Sequence, residues 1–341
     1  MKLKKILSIL LAIVILFSLA ACSESKKDSD DTKKPASGNN SGTNDDTGNT
    51  GDKDADDSTG LETIMPVTVY LMTASLQGDT YRQYTYDAKG NQIQYIRTKD
   101  GEEKDNKKYE HDAKGNVTAE ISYDEGEEKS RYTYEYNTSG NLTSETYFYK
   151  GDEISRATYE YDADGKLISS LTVKSGEDDV RCDYEYDNLG HLAKESYSSN
   201  GTVLEYTKYF YTLDGKVTKA VNYENDVEVS SYEYLYDVQG CLSMYEVYLN
   251  GTHYSRTQYF YDSNNNVETE YYTDYVSDIT KHIDYQYDEN GCRTSATVKT
   301  EDSAGEMNDE YMYRYQKMTL GKAVAEKLQE LHGDVMVIIV E

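Results

Sequence analysis

Few side chains in this chain are spaced for chemistry. The histidines His111, His191, His253, His282 and His332 do not fall at metal-ligand intervals. No Ser-His-Asp order, His-Glu-x-x-His pair or phosphate-binding loop is present. Asp52-x-Asp54-x-Asp56 opens like a calcium loop, but Asp57 stands where such a loop needs glycine. An aspartate three residues before a glycine recurs at Asp87, Asp162, Asp187 and Asp237. Its regular return marks turn chemistry rather than paired catalytic carboxylates. The expectation is a protein that is not an enzyme and holds no cofactor and no metal.

Cys22 is the residue with a covalent role. Lys2, Lys4 and Lys5 precede an apolar run from Ile6 to Ala21, and small residues lead up to the cysteine. That layout is a secretory signal peptide over residues 1–21. The tetrad Leu19-Ala20-Ala21-Cys22 resembles the bacterial lipobox, whose cysteine is diacylated and becomes the mature N-terminus. The resemblance implies a membrane partner reached through lipid on Cys22, and an extracytoplasmic place in the cell envelope. Acyl chains contribute about 0.8 kcal/mol per buried CH₂, enough for anchoring without a spanning helix.

Residues 22–61 carry no aromatic and almost no apolar side chain, and are dominated by Ser, Asp, Lys, Gly, Asn and Thr. Such a composition cannot offset chain entropy by burial, so this stretch is expected to be a disordered acidic linker. As a flexible chain it would reach roughly 35 Å. The whole sequence has 63 acidic and 35 basic residues, a net charge of -28. That balance repels phosphate backbones and argues against a nucleic-acid partner.

The elements that position everything else come from a 25-residue cadence. Gly90, Gly115, Gly140, Gly165, Gly190, Gly215 and Gly240 are evenly spaced; Asn265 takes the next slot and Gly291 follows one late. Six residues before each stands a tyrosine, from Tyr84 and Tyr109 to Tyr259 and Tyr285. A period of this kind is the mark of a repeat protein. Each repeat has two turn signals, Asp-x-x-Gly and an X-Gly pair such as Asp100-Gly101 or Asn200-Gly201. Two turns per period leave two strands, so residues 62–318 are expected to form nine repeats of an antiparallel meander.

Counting from the loop glycine, the turns should place offset -4 opposite +2, -6 opposite +4, and +2 opposite the next repeat's -6. Even offsets would then share one apolar face: the tyrosines, Val117, Leu142 and Leu167 at +2, Ile121 and Leu171 at +6, Tyr123 and Phe148 at +8. Odd offsets, such as Glu110, Glu135, Glu160 and Glu185, would face water. A sheet of about eighteen strands with one apolar face must curl into a spiral or barrel-like shell, or fold over on itself.

The motif Tyr-x-Tyr-Asp-x-x-Gly-x-Leu/Val, fullest at 159–167, 184–192 and 234–242, resembles the YD (RHS-type) repeats of bacterial surface and toxin proteins and teneurins. The resemblance covers Tyr84 to about Tyr315. It implies hairpins winding into a long curved or spiralling all-β sheet that can form a hollow shell.

The ends read as caps. Ile64 to Met72 is a leading strand, with Pro66 suited to an edge. In residues 319–341, Leu320, Val324, Leu328 and Leu331 lie on one helical stripe, and Val335 to Val340 has strand length. This tail should cover the last sheet edge or the open apolar face. With no catalytic constellation, the expected function is a binding module for carbohydrate or protein ligands. The alternatives are a passive spacer or a shell around a separately encoded partner. The candidate ligand contacts are the odd-offset tyrosines Tyr95, Tyr147, Tyr149, Tyr197, Tyr245 and Tyr272.

Overall fold

A computed structural model describes residues 66–333 and 336–340. Residues 1–65, which include the expected signal peptide, Cys22 and the linker, lie outside the described residues.

Each Asp-x-x-Gly turn is built as its composition demands. The Gly90 amide donates to the Asp87 carbonyl at 3.1 Å, closing a type I turn. One Asp87 carboxylate oxygen accepts from the Lys89 and Asn91 amides at 2.8 and 2.9 Å. The same bonds recur at Asp162, Asp187 and Asp237. The fourth position needs positive φ, +86° at Gly90. Asn265 meets the same demand at 63°, which explains why asparagine replaces glycine there. At the other end of each hairpin, pairs such as Asp100-Gly101 sit at φ 54° and 78°, as tight hairpin turns require.

These turns join a continuous meander. It begins with β1 (Pro66–Gln77), β2 (Thr80–Tyr86) and β3 (Gln92–Lys99), and runs two strands per repeat to β19 (Arg293–Asp302) and β20 (Gly305–Gly321). The expected curved or spiralling sheet is corrected here, because the sheet closes. The 12-residue β1 pairs with β20 from Pro66↔Gly321 to Gln77↔Tyr311 and with β2 from Ala74↔Gln83 to Gln77↔Thr80. Closure gives a 20-strand antiparallel barrel with no free edge between first and last strands. Strands spaced ~4.8 Å apart give it a circumference of about 96 Å, hence a diameter of about 30 Å if circular. Side chains from the wall do not fill a barrel of this strand number.

The tail adds α1 (Lys322–His332) and β21 (Val337–Val340). The expected helical stripe starts two residues late, because Leu320 still belongs to β20. β21 pairs with Thr68–Leu71 of β1, the stretch that β2 does not reach. The last edge is therefore covered by β1, and the tail covers the remainder of β1. Ala325 and Leu328 of α1 are buried with Val67, Val69, Leu71, Leu320 and Val337 in one apolar cluster at the seam.

The expected register holds at the turn and fails beyond it. Tyr86 lies opposite Gln92, offset -4 against +2, but Thr85 pairs with Gln94, leaving Ile93 as a β-bulge. Tyr84 at -6 consequently faces Tyr95 at +5, not +4. The bulge returns in most repeats, for example between Glu135 and Tyr136. A second one lies beside the X-Gly turn, where Arg97 pairs with Asp105 and Thr98 with Glu103, leaving Lys104 extra on the strand after the turn. Each bulge adds one residue and so reverses side-chain parity. The tyrosines at -6 and -4 therefore share a face with +5 and +7, while Ile121, Leu171, Tyr123 and Phe148 at +6 and +8 project from the other.

Candidate ligand-binding wall

Burial distinguishes the two faces of the wall. Large side chains are buried on the tyrosine face, among them Tyr197, Tyr209, Tyr234 and Glu195. On the other face the buried side chains are aliphatic or small, such as Ile121, Ala119, Ser144 and Ser169, with no buried aromatic ring, and offset -5 is exposed in all nine repeats. Closing a sheet crowds side chains on its concave side and spreads them on its convex side. The tyrosine face is therefore the inner wall.

The bulges bring carboxylates to that wall. Glu120, Glu145, Glu195 and Glu270, all at +5, lie cross-strand from Tyr109, Tyr134, Tyr184 and Tyr259. The next repeat closes a ladder. Tyr209 donates its hydroxyl to Glu195 Oε1 at 2.7 Å, and Tyr285 donates to Glu270 Oε2 at 2.9 Å. Burial pushes the Glu195 and Glu270 carboxyls above the usual range, and the tyrosine hydrogen bonds only partly oppose it. Burial also raises Glu145, with help from the nearby Glu120 charge. The same desolvation raises the phenols, to about 12 for Tyr159 and Tyr211 and further for Tyr134, Tyr209 and Tyr234.

Five of the six candidate tyrosines are inner-wall residues, against the expectation that odd offsets face outward. Tyr95 packs on Tyr84 with ring centroids 5.4 Å apart, and Tyr147 on Tyr132 at 4.6 Å. Tyr245 stands between Tyr234 at 6.2 Å and Tyr259 at 6.5 Å. Tyr272 has the Lys281 ammonium over its ring, and Tyr197 is 8% exposed opposite Cys182. Tyr149 stands apart beside an X-Gly turn, 39% exposed, with Lys150 over its ring. The glutamates at +5 escaped the sequence reading. Their signal was a Glu recurring at multiples of 25 residues, whose meaning depended on the bulges.

Rings, phenol hydroxyls and carboxylates repeated along a concave wall can stack on the apolar face of a ligand and exchange hydrogen bonds at its rim. Among the described residues, no three His, Cys, Asp or Glu groups are grouped to hold a metal ion. Cys182 and Cys292 are buried free thiols, pushed up by burial to about 11 and about 12 and so poorly nucleophilic.

The outer wall is charged along its height. Lys108, Arg131, Arg181, Lys194, Lys208 and Glu233 all project from it, several in ion pairs such as Lys194–Glu185 at 3.1 Å and Lys219–Glu233 at 2.9 Å. A lipid-embedded barrel needs an apolar outer band, which this wall lacks. Among the described residues, no helix is long and apolar enough to cross a membrane.

No family model and no curated protein matches the chain. Among solved structures it is similar to a chain of the complex TcdB2-TccC3-Cdc42, with 14% identity and a TM-score of 0.42. That similarity covers 67% of this chain but only 14% of the other. It is also similar to a porin-like protein from Bacteroides uniformis, with 10% identity and a TM-score of 0.35, covering 74% of this chain and 96% of that one. A porin-like protein from Bacteroides vulgatus gives 15% identity and a TM-score of 0.29, covering 66% and 98%.

Proposed function

We propose that this chain is a non-enzymatic binding barrel of the bacterial cell envelope, held to a membrane by lipid on Cys22, whose inner wall takes a carbohydrate ligand. The observation that carries the reading is the ladder of tyrosine rings alternating with buried Glu195 and half-buried Glu120, Glu145 and Glu270 on the concave face. Sugars pair with such a surface, since ring faces stack on C–H groups while carboxylates and phenols bond hydroxyls. The charged outer wall fits a barrel standing in water beside the membrane rather than within it.

Closure also favours a second reading, in which the lumen encloses a separately encoded protein. The two readings separate in one experiment. The full chain is titrated calorimetrically with soluble cell-wall and extracellular oligosaccharides, beside Tyr95→Ser, Tyr245→Ser and the outer-wall variant Phe260→Ser. Saturable binding weakened at least tenfold by the inner-wall changes and untouched by Phe260→Ser supports the reading. Binding lost with Phe260→Ser alone, or absent from all sugars while the far-ultraviolet spectrum is intact, rejects it.

A further inference from the structure

The two rims of the barrel differ. One carries the X-Gly hairpins, and the other carries nine turns of the Asp-x-x-Gly type, with Asn137, Thr212 and Asn265 as the variants. β1 ends at Gln77, paired with Thr80 across the first hairpin, so its beginning at Pro66 lies at the Asp-x-x-Gly rim. The sequence that precedes Pro66 therefore enters the barrel at that rim.

The same rim carries the most exposed apolar side chains of the wall. Leu189, Leu213 and Val238 sit at the tips of three successive turns, 73%, 101% and 98% exposed. Just behind them on the outer wall are half-exposed Phe210, Leu235 and Phe260, at offset -5 in successive repeats. Four earlier repeats hold glutamate at that position: Glu110, Glu135, Glu160 and Glu185. The apolar sector is thus local. It lies across the barrel from the seam, and α1 does not reach it; α1 touches the rim through Leu328 beside Gly90 and Lys327 bonded to Asn116.

Charge in this sector is balanced, with Lys194 and Lys219 paired to Glu185 and Glu233 and Lys216 3.7 Å from Asp214, which suits a zwitterionic lipid surface. Lys208 precedes Phe210 by two residues, Lys219 is its cross-strand partner, and Lys194 pairs with Lys208. The turn carboxylates Asp187 and Asp237 accept two backbone amides each, which meets their charge locally. Contiguous exposed apolar groups of this kind mark interaction surfaces.

We infer that this sector of the Asp-x-x-Gly rim rests on the bilayer that holds the anchor, with Leu189, Leu213 and Val238 entering the headgroup boundary. The inference rests on the anchored reading for its geometry: β1 begins at the rim that carries the tips, and the 43 residues between Cys22 and Pro66, taken as the expected flexible linker, span a reach similar to the barrel's width of about 30 Å. A barrel seated this way turns its X-Gly rim towards solvent.

The chain has no tryptophan, so a single one reports its own surroundings. Leu213→Trp and, at the opposite rim, Val227→Trp are introduced into the full chain. Each is mixed with phosphatidylcholine vesicles with or without brominated acyl chains, and flotation is scored in parallel. The expected result is a blue-shifted Leu213→Trp emission, quenched at least twofold more than that of Val227→Trp. Equal quenching of the two sites overturns the inference. If the chain floats and quenching is equal, the anchor stands and the rim contact falls. If Cys22→Ala abolishes flotation but the Leu213→Trp shift persists at high lipid, the rim contact stands independently of the anchor.

Discussion

The Tyr161 hydroxyl donates to the Leu142 carbonyl oxygen at 2.8 Å, tying one repeat to the one before it. The bond recurs from Tyr136 to Val117, Tyr186 to Leu167, Tyr211 to Leu192, Tyr236 to Val217 and Tyr261 to Leu242, all between 2.7 and 2.9 Å. The second tyrosine of the motif is thus an inter-repeat clamp. Tyr161→Phe keeps the ring and removes only the donor, leaving a half-buried carbonyl unmet. The expected loss is about 1 kcal/mol by urea denaturation. A change within experimental error would mean the hydroxyl is met equally well by water.

Gly90 and Gly140 occupy equivalent turns in unequal surroundings. A Cβ at Gly90 would lie 2.7 Å from Leu328 Cδ1 and 3.0 Å from Leu320 Cδ1, whereas Gly140 has open space. Both have left-handed φ, +86° and +91°, so alanine strains each backbone by about 1 kcal/mol. Gly90→Ala should cost clearly more than Gly140→Ala and should loosen α1, seen as faster amide exchange in residues 325–332. Equal costs would place α1 away from this turn.

Glu195 sets a pH dependence. Its folded pKa is raised from 4.5, chiefly by burial. A raised carboxyl gives stability that is fully present below the unfolded value and lost as pH rises through the folded one. Glu195→Gln, which retains an acceptor for Tyr209, should therefore melt higher than the parent at pH 8. The gap should close as pH falls to about 4, near the model-peptide value for glutamate. A gap independent of pH would show that the carboxyl is not buried as described.

The inner phenols should resist alkali. With Tyr159, Tyr211, Tyr236 and Tyr261 pushed up to about 12, and Tyr209 and Tyr234 further, tyrosinate absorbance should lag behind that of free tyrosine. It should rise together with loss of the β-sheet circular dichroism signal. Ionisation of most phenols near pH 10 with the fold intact would contradict a desolvated inner wall.

The repeat unit was legible in the sequence because both turns write themselves in local chemistry. Asp87 bonds its own turn, and Gly90 or Asn265 supplies the left-handed conformation. The bulges left no such mark. Ile93 is an unremarkable residue, yet it and its equivalents in later repeats each shift register by one, and so move Tyr95, Tyr147, Tyr197, Tyr245 and Tyr272 to the inner wall. Closure was hidden for a different reason. It depends on β1 and β20 matching over their full length, a pairing of residues 66–77 with 311–321 that no repeat contains. The terminal helix and strand were visible by pattern, but their seat beside Thr68–Leu71 follows only from the closed seam.

The central claim is that the sheet closes, since closure creates the inner wall. Leu76 and Met312 are cross-strand partners on the seam, 236 residues apart in sequence. Cysteines placed at both positions, Leu76→Cys with Met312→Cys, should cross-link in the folded full chain under mild oxidation, and should do so within one molecule at high dilution. A pair that stays reduced in folded protein, or links only between molecules, would mean an open sheet and no inner wall.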